Sequence, residues 1–393
     1  MKYVVVILDG AAGWPLPELG GRTTLQVSAT PHLDALARAG TLGLAHTVPE
    51  GFEPSSSAAC TSILGYDPIA NYVGRGAIEA ASLGIELGPK DVALRCNLVS
   101  IVDGRMASYA AGHITTRESR AIVSELASAL DDDTYRLYPG VAYRHILVIH
   151  DHPELLDLSY TPPHDIPDRE VGSHVPKGEG AAVLRDYMER ARPLLASCWV
   201  NQARQDAGTL PATDVWPFWP GVAPEGMVPF EQRRGVRAAL TSGVDLLNGL
   251  AVLAGIDRLH IAGVSDGPDN DYAGQAVGAL KALDDHDLVV IHVESPDEAG
   301  HGGDVAGKIA AIEAIDREVV ARVREYGEGV RVLAMPDHPT PIALKTHVGE
   351  PVPFVVSGPG VEQNGGAGYD EIQAAETRFA LDPGHRVMDL LLA

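Results

Sequence analysis

Five short apolar runs constrain this chain more than any other feature: "YVVVILD" (3–9), "RLHIAGVS" (258–265), "DLVVIHVE" (287–294), "VRVLAMPD" (330–337) and "PFVVSG" (353–358). Each is continuous rather than alternating, the pattern of a parallel strand covered on both faces. Helical patterns fall between them. "TPHLDALARAG" predicts a helix with Thr30 as N-cap, Pro31 at the first helical position and Gly40 as its stop. "KIAAIEAIDREVVARVREYG" predicts another, ending at Gly327. The alternation predicts an α/β fold with a doubly wound, mostly parallel sheet.

The middle of the chain reads differently. Between about 90 and 212 buried-strand signals thin out. A capping box at Thr115 and Glu118 opens a helix, "RHILVIH" (144–150) reads as a strand, and a further helix is expected at about 181–196. This predicts an inserted, smaller α+β domain at 90–212, with the core built from 1–89 and 213–393.

In a parallel α/β sheet, ligands bind beyond the carboxyl ends of the strands. Asp9 ends the first run; Asp297 and His301 follow the third, four residues apart and so on one helical face. Asp337 and His338 end the fourth, and His347 follows in "ALKTHVGE". Singly, each is an ordinary turn or capping residue. Together they place metal-ligand types at successive strand exits, and buried carboxylates with imidazoles call for a divalent counter-charge. The expectation is a site for two metal ions.

A metal site needs something to act on. "EGFEPSSSAACTSILGY" places Ser55, Ser56 and Ser57 at the start of a helical pattern, where free N–H groups and the helix dipole favour an anion. A serine oxygen bound to a divalent ion there becomes a nucleophile at neutral pH.

At this point the chain resembles the archaeal-type, cofactor-independent phosphoglycerate mutases of the alkaline phosphatase superfamily. The resemblance runs end to end through "ILDGAAGWPLPELGGRTTL", "LGYDP", "GRGAIEAASLGIEL", "AGHITT", "YPGVAYRH", "TPPHD", "DNDYAGQA", "ESPDEAGHGGD" and "PDHPTPIALKTHVGEPVPF". It implies that Asp297, His301 and His347 hold one ion, and that Asp9, Asp337 and His338 hold the other. It also selects Ser56, nine residues before "GYDP", as the nucleophile that ligates the second ion. The implied activity interconverts 3-phosphoglycerate and 2-phosphoglycerate through a phosphoserine. The inserted domain would be a lid excluding water, with Arg95, Arg144 and His145, and Arg75 near the hinge, as clamps for phosphate and carboxylate. Mn²⁺ is the first choice of metal, with Zn²⁺, Co²⁺ or Mg²⁺ as alternatives, and neither 2,3-bisphosphoglycerate nor a nucleotide is required.

The chain departs from the family pattern around the nucleophile. Ser55-Ser56-Ser57 stands where Gly-Ser-Asp is usual, Cys60 where archaeal members carry a His, and Asn248 where a basic residue is usual. These departures keep open a phosphatase or another phosphomutase acting on a different small phosphate ester. A homoserine kinase-like enzyme is the other alternative, although the sequence has no GxxxxGK[ST] loop.

Composition narrows the partners. A formal net charge of −23 disfavours nucleic acid. The N-terminal apolar run stops at Asp9, too soon for a secretory signal, and no stretch is long enough to span a membrane. Three widely spaced cysteines suit free thiols in a reducing cytoplasm. The expected partner is a small phosphorylated metabolite, with neither nucleic acid nor membrane; homo-oligomerisation is left open.

Overall fold

The computed structural model describes residues 1–71, 73–223, 227–327 and 329–393. The chain divides into two compact units, Met1–Tyr72 with Gly226–Ala393 and Val73–Glu225. The second unit therefore begins earlier and ends later than the 90–212 read from the sequence. The reason is local: the helix Arg75–Ser82 packs on the strands Val92–Val102 and Asp214–Gly221, so it belongs with them.

In chain order the strands are β1 (Lys2–Leu8) and β2 (Thr41–Ala45) of the first unit, then β3 (Val92–Val102), β4 (Arg105–Ser108), β5 (Tyr135–Tyr138), β6 (Arg144–Ile149) and β7 (Asp214–Gly221) of the second. The first unit resumes with β8 (Ala238–Thr241), β9 (Asp257–Arg258), β10 (Leu288–Val293), β11 (Val330–Met335), β12 (Val352–Ser357) and β13 (Ala380–Leu381).

The first unit is built on an eight-stranded sheet in the order β13-β2-β12-β11-β1-β10-β8-β9. β1 lies between β10 and β11, parallel to both, and its Val4–Leu8 stretch is completely buried. The continuous apolar runs at 3–9, 287–294 and 330–337 are these three strands, and burial on both faces is what their lack of alternation encodes.

Two expectations from the runs are corrected. "PFVVSG" forms a buried strand, but β12 runs antiparallel to both β11 and β2, so the sheet is mixed. "RLHIAGVS" is not a strand beyond β9, which pairs only as Asp257–Arg258 with Ala239–Leu240. It lies at the sheet edge, where exposed His260 and the positive φ of Gly263 (84°) end the ladder. Its place inside the sheet is taken by the shorter run Ala238–Thr241, parallel to β10.

The helix Pro31–Ala39 begins with Pro31, but the Thr30 side chain makes no capping bond. Buried Asp316 caps instead, accepting from the N–H groups of Leu33 (2.7 Å) and His32 (3.2 Å). Gly40 does end the helix, with extended backbone: a Cβ there would lie 2.1 Å from the Val356 carbonyl oxygen. The helix expected up to Gly327 is Val305–Ala314, a π-helical turn Ile315–Val320, and Ala321–Glu325.

The second unit is built on an antiparallel sheet, β4-β3-β6-β5 with β7 on β3, and has its own apolar core. Thr115 and Glu118 form the expected capping box on the helix Thr116–Leu130, and a helix spans Ala181–Ser197. Among the described residues no helix is long and apolar enough to cross a membrane. All three cysteines are buried free thiols.

Candidate functional site

The adjacent parallel strands β1, β10 and β11 deliver their polar residues to one end of the first sheet. Asp9 follows β1 directly, its N–H bonded to the Val293 carbonyl (3.0 Å). Asp337 and His338 leave β11, and the Asp337 carboxylate accepts the N–H groups of Gly10 (3.0 Å) and His338 (2.8 Å). Gly10 is required here. Its φ is +58°, and a Cβ would lie 2.3 Å from the Asp297 carboxylate.

The helix Ser295–Gly302 opens directly after β10 and carries Asp297 and His301 on one face, with His301 Nε2 3.1 Å from Asp297 Oδ2. His347 joins them from the loop after β11. Its Nε2 lies 2.9 Å from His301 Nε2 and 3.5 Å from Asp297 Oδ1, and its ring stacks on His338 with centroids 3.9 Å apart. Thr340 links the two clusters, donating to Asp297 and lying 3.3 Å from His338 Nδ1.

Asp9, Asp337 and His338 converge separately: His338 Nε2 is 3.1 Å from Asp337 Oδ2 and 3.7 Å from Asp9 Oδ1. Ser56 is the first residue of the helix Ser56–Ile63, whose N-cap is Ser55 accepting from the Ala58 N–H. Its Oγ lies 3.0 Å from His338 Nε2. Ser55 and Ser57 hydrogen-bond to each other instead. Cys60, on the same helix, points its Sγ at Asp337 Oδ2 (3.7 Å).

The electrostatics call for positive charge. Asp9 is fully buried, and burial together with the charges of Asp337 and Asp297 pushes its carboxyl well above the ordinary range. Burial works to raise Asp297 too, but hydrogen bonds from His301 and His347, with the charges of His338 and His347, hold it well below. The bond to Asp297 in turn lifts His301 to about 9. Burial drops His338 to about 4, the neutral form a metal ligand needs. Asp9 Oδ1 has no hydrogen-bond partner although it is buried. Three overlapping groups of carboxylate and imidazole donors, Asp297–His338–His347, Asp9–Asp337–His338 and Asp9–His292–Glu294, lie close together, and with the orphaned Asp9 oxygen they fit divalent cations.

Four residues here went unread in the sequence. His292, inside β10, has its Nε2 2.7 Å from Asp9 Oδ2, and Glu294 lies beside them with Oε2 3.6 Å from that nitrogen. Glu294 was legible, since it follows its strand as directly as Asp9 follows β1; His292 was visible as the one polar residue in an apolar run. Thr340 and Lys308 carried no signal. Buried Lys308 donates to the carbonyls of Ala12 (3.1 Å) and Thr340 (2.8 Å), tying the two ligand-bearing loops together, and burial lowers it to about 8.

The four basic residues expected to bind substrate all lie in the second unit. Arg75 and Arg95 converge on Glu79, each 2.9 Å from its Oε1. Burial acts to raise Glu79, but the two guanidinium groups win and hold it below the ordinary range. Arg75 also lies over the Trp219 ring, 4.2 Å from its centroid. Arg144 pairs with Asn97, on the same face of the sheet as Arg95. His145 is not brought to them: it pairs with Cys96, on the opposite, core-facing side, and its Nδ1 accepts the Gly140 N–H at 3.1 Å.

A sequence model described as 2,3-bisphosphoglycerate-independent phosphoglycerate mutase matches residues 37–201. A relative of that name from Methanothrix thermoacetophila is 46% identical over 397 residues, covering 100% of both chains. A probable enzyme of the same name from Geobacter sulfurreducens is 43% identical over 401 residues, again covering 100% of both. Among solved structures, a Pyrococcus horikoshii protein superposes with a TM-score of 0.86 at 26% identity, covering 100% of this chain and 96% of its own. A cofactor-independent phosphoglycerate mutase from Thermoplasma acidophilum does so with a TM-score of 0.69 at 27% identity, covering 100% and 99%. At 46% and 43% identity over the full length of both chains, the chain belongs to the 2,3-bisphosphoglycerate-independent phosphoglycerate mutase family.

Proposed function

We propose that this protein interconverts 3-phosphoglycerate and 2-phosphoglycerate without 2,3-bisphosphoglycerate, through a phosphoserine on Ser56. The observation that carries the reading is the 3.0 Å approach of Ser56 Oγ to His338, at a helix start beside the buried Asp9–Asp337–His338 set. Asp297, His301 and His347 would hold one divalent cation; Asp9, Asp337, His338 and Ser56 would hold the other. Such ions supply a lowered serine pKa and neutralise phosphoryl charge.

Ser56 Oγ forms a bond to phosphorus as the bond from phosphorus to the glycerate oxygen breaks, and the serine proton ends on that oxygen. Glycerate then presents its neighbouring hydroxyl, which takes the phosphoryl group back and returns a proton to Ser56. The N–H groups of the first turn of Ser56–Ile63 face the phosphoryl oxygens. Water must be kept from the phosphoserine, or the outcome is hydrolysis. Arg75, Arg95 and Arg144 are the proposed holders of the substrate's anionic groups. His145, enclosed in the core, contributes by fixing the strand that carries Arg144.

Acid-quenched enzyme given 3-phosphoglycerate should yield a peptide phosphorylated at Ser56 by mass spectrometry. Ser56→Ala should lose both that peptide and turnover while still binding two Mn²⁺ per chain. Turnover near the wild-type rate in Ser56→Ala would overturn the assignment.

A further inference from the structure

His292 belongs to neither cation set, yet it is among the most constrained side chains of the first unit. It is buried in β10, opposite Ile7 of β1, and both ring nitrogens are engaged. Nδ1 lies 2.9 Å from Ser242 Oγ. That oxygen also accepts the Val244 N–H (3.0 Å), and because an ionised Asp9 carboxylate beside Nε2 can only accept, Nδ1 is left to accept the serine O–H. The ring proton therefore sits on Nε2, which donates to Asp9 Oδ2 at 2.7 Å. The backbone is pinned as well: Gln275 Nε2 donates to the His292 carbonyl (2.9 Å), and Asn270 Nδ2 donates to Gln275 Oε1 (2.9 Å).

A third cation is the rival occupant, because Asp9, His292 and Glu294 each offer a ligand atom within 4.8 Å of the others. The contact distance decides against it. At 2.7 Å the His292–Asp9 pair has the length of a charge-assisted hydrogen bond, which a cation would have to break, along with the tautomer that Ser242 sets. The consequence falls on Asp9: one oxygen is satisfied, while Oδ1 is buried without a partner on the side of His338.

We propose that His292 is a positioning residue whose Nε2–H occupies Asp9 Oδ2 and thereby dedicates Oδ1 to the cation shared with Asp337, His338 and Ser56. The inference rests on the two-cation reading above. It makes His292 specific to one of the two ions, because its ring bonds to Asp9 and Ser242 and, among the described residues, no hydrogen bond joins it to Asp297, His301 or His347.

Two substitutions separate the nitrogens. Gln places an N–H near the Nε2 position; Asn retains a group near Nδ1 and cannot reach Asp9. Metal-stripped protein is titrated with Mn²⁺, following free Mn²⁺ by EPR and bound metal by elemental analysis. Wild type should bind two ions. His292→Asn should weaken one of them about 10- to 100-fold and leave the other unchanged, while His292→Gln stays within about threefold of wild type. In an Asp337→Asn background, which lacks the affected ion, His292→Asn should change nothing further.

Equal weakening of both ions, no weakening in His292→Asn, or a third wild-type ion lost in both variants would each overturn the proposal. Wild-type binding of fewer than two ions would instead overturn the two-cation reading on which it stands.

Discussion

Asp9, Asp297, Asp337 and His338 were each readable because of where they stand: just beyond an apolar run whose length already marked a buried strand. His145 shows the limit of that approach. A basic residue beside Arg144 reads as an anion clamp, but strand alternation sends neighbours to opposite faces, and the sequence does not say which face is buried. The structure instead makes His145 a core histidine, which burial and the Arg95 charge push down to about 3 from an ordinary 6.5.

The sign of the consequence follows. Between pH 6.5 and about 3 the unfolded chain takes up a proton at this residue that the folded chain refuses. Stability is therefore lost as pH falls below 6.5, by about 1.4 kcal/mol per unit, and is untouched above it. Urea unfolding of wild type and His145→Gln at pH 7.5 and 5.5 should show this increment in the wild type alone. The same pH dependence in both proteins would contradict it.

At the scale of elements, periodicity carried the helices and the three central strands, and failed where tertiary partners decide. "RLHIAGVS" has strand composition but lies at an edge, whereas the shorter Ala238–Thr241 is a strand because β10 pairs with it. Strand direction was equally illegible, since "PFVVSG" is as apolar running antiparallel as it would be running parallel. Capping gives a sharper case. Thr30 has the right residue type and position for an N-cap, yet Asp316 does the work from a π-helical turn far along the chain.

Asp316→Ala would leave the N–H groups of His32 and Leu33 without their acceptor. It should lower stability by about 1–3 kcal/mol, measured by chemical denaturation, with Mn²⁺ stoichiometry unchanged. Thr30→Ala, which removes no capping bond, should cost much less; a larger loss there than in Asp316→Ala would reverse the assignment.

For the molecule as a whole, the strands identified as buried lie in the unit that carries the carboxylate and imidazole clusters, while Arg75, Arg95 and Arg144 lie in the Val73–Glu225 unit. Under the proposed function, the bulk acidity of a chain with a net charge of −23 would be countered by divalent ions in the first unit and by guanidinium groups in the second. The sequence revealed the presence of an inserted unit. Its boundaries eluded reading because the helix Arg75–Ser82 is assigned by what it packs against, not by its composition.

On the proposed phosphoserine route, transfer and hydrolysis part company at Ser56, so both products are followed in one tube. Metal-stripped protein reloaded with Mn²⁺ is given 3-phosphoglycerate, with no 2,3-bisphosphoglycerate, and 2-phosphoglycerate and free phosphate are recorded together. Rapid formation of 2-phosphoglycerate with little phosphate is expected, and both should be lost when the metal is chelated. Release of phosphate without 2-phosphoglycerate would contradict the proposed function.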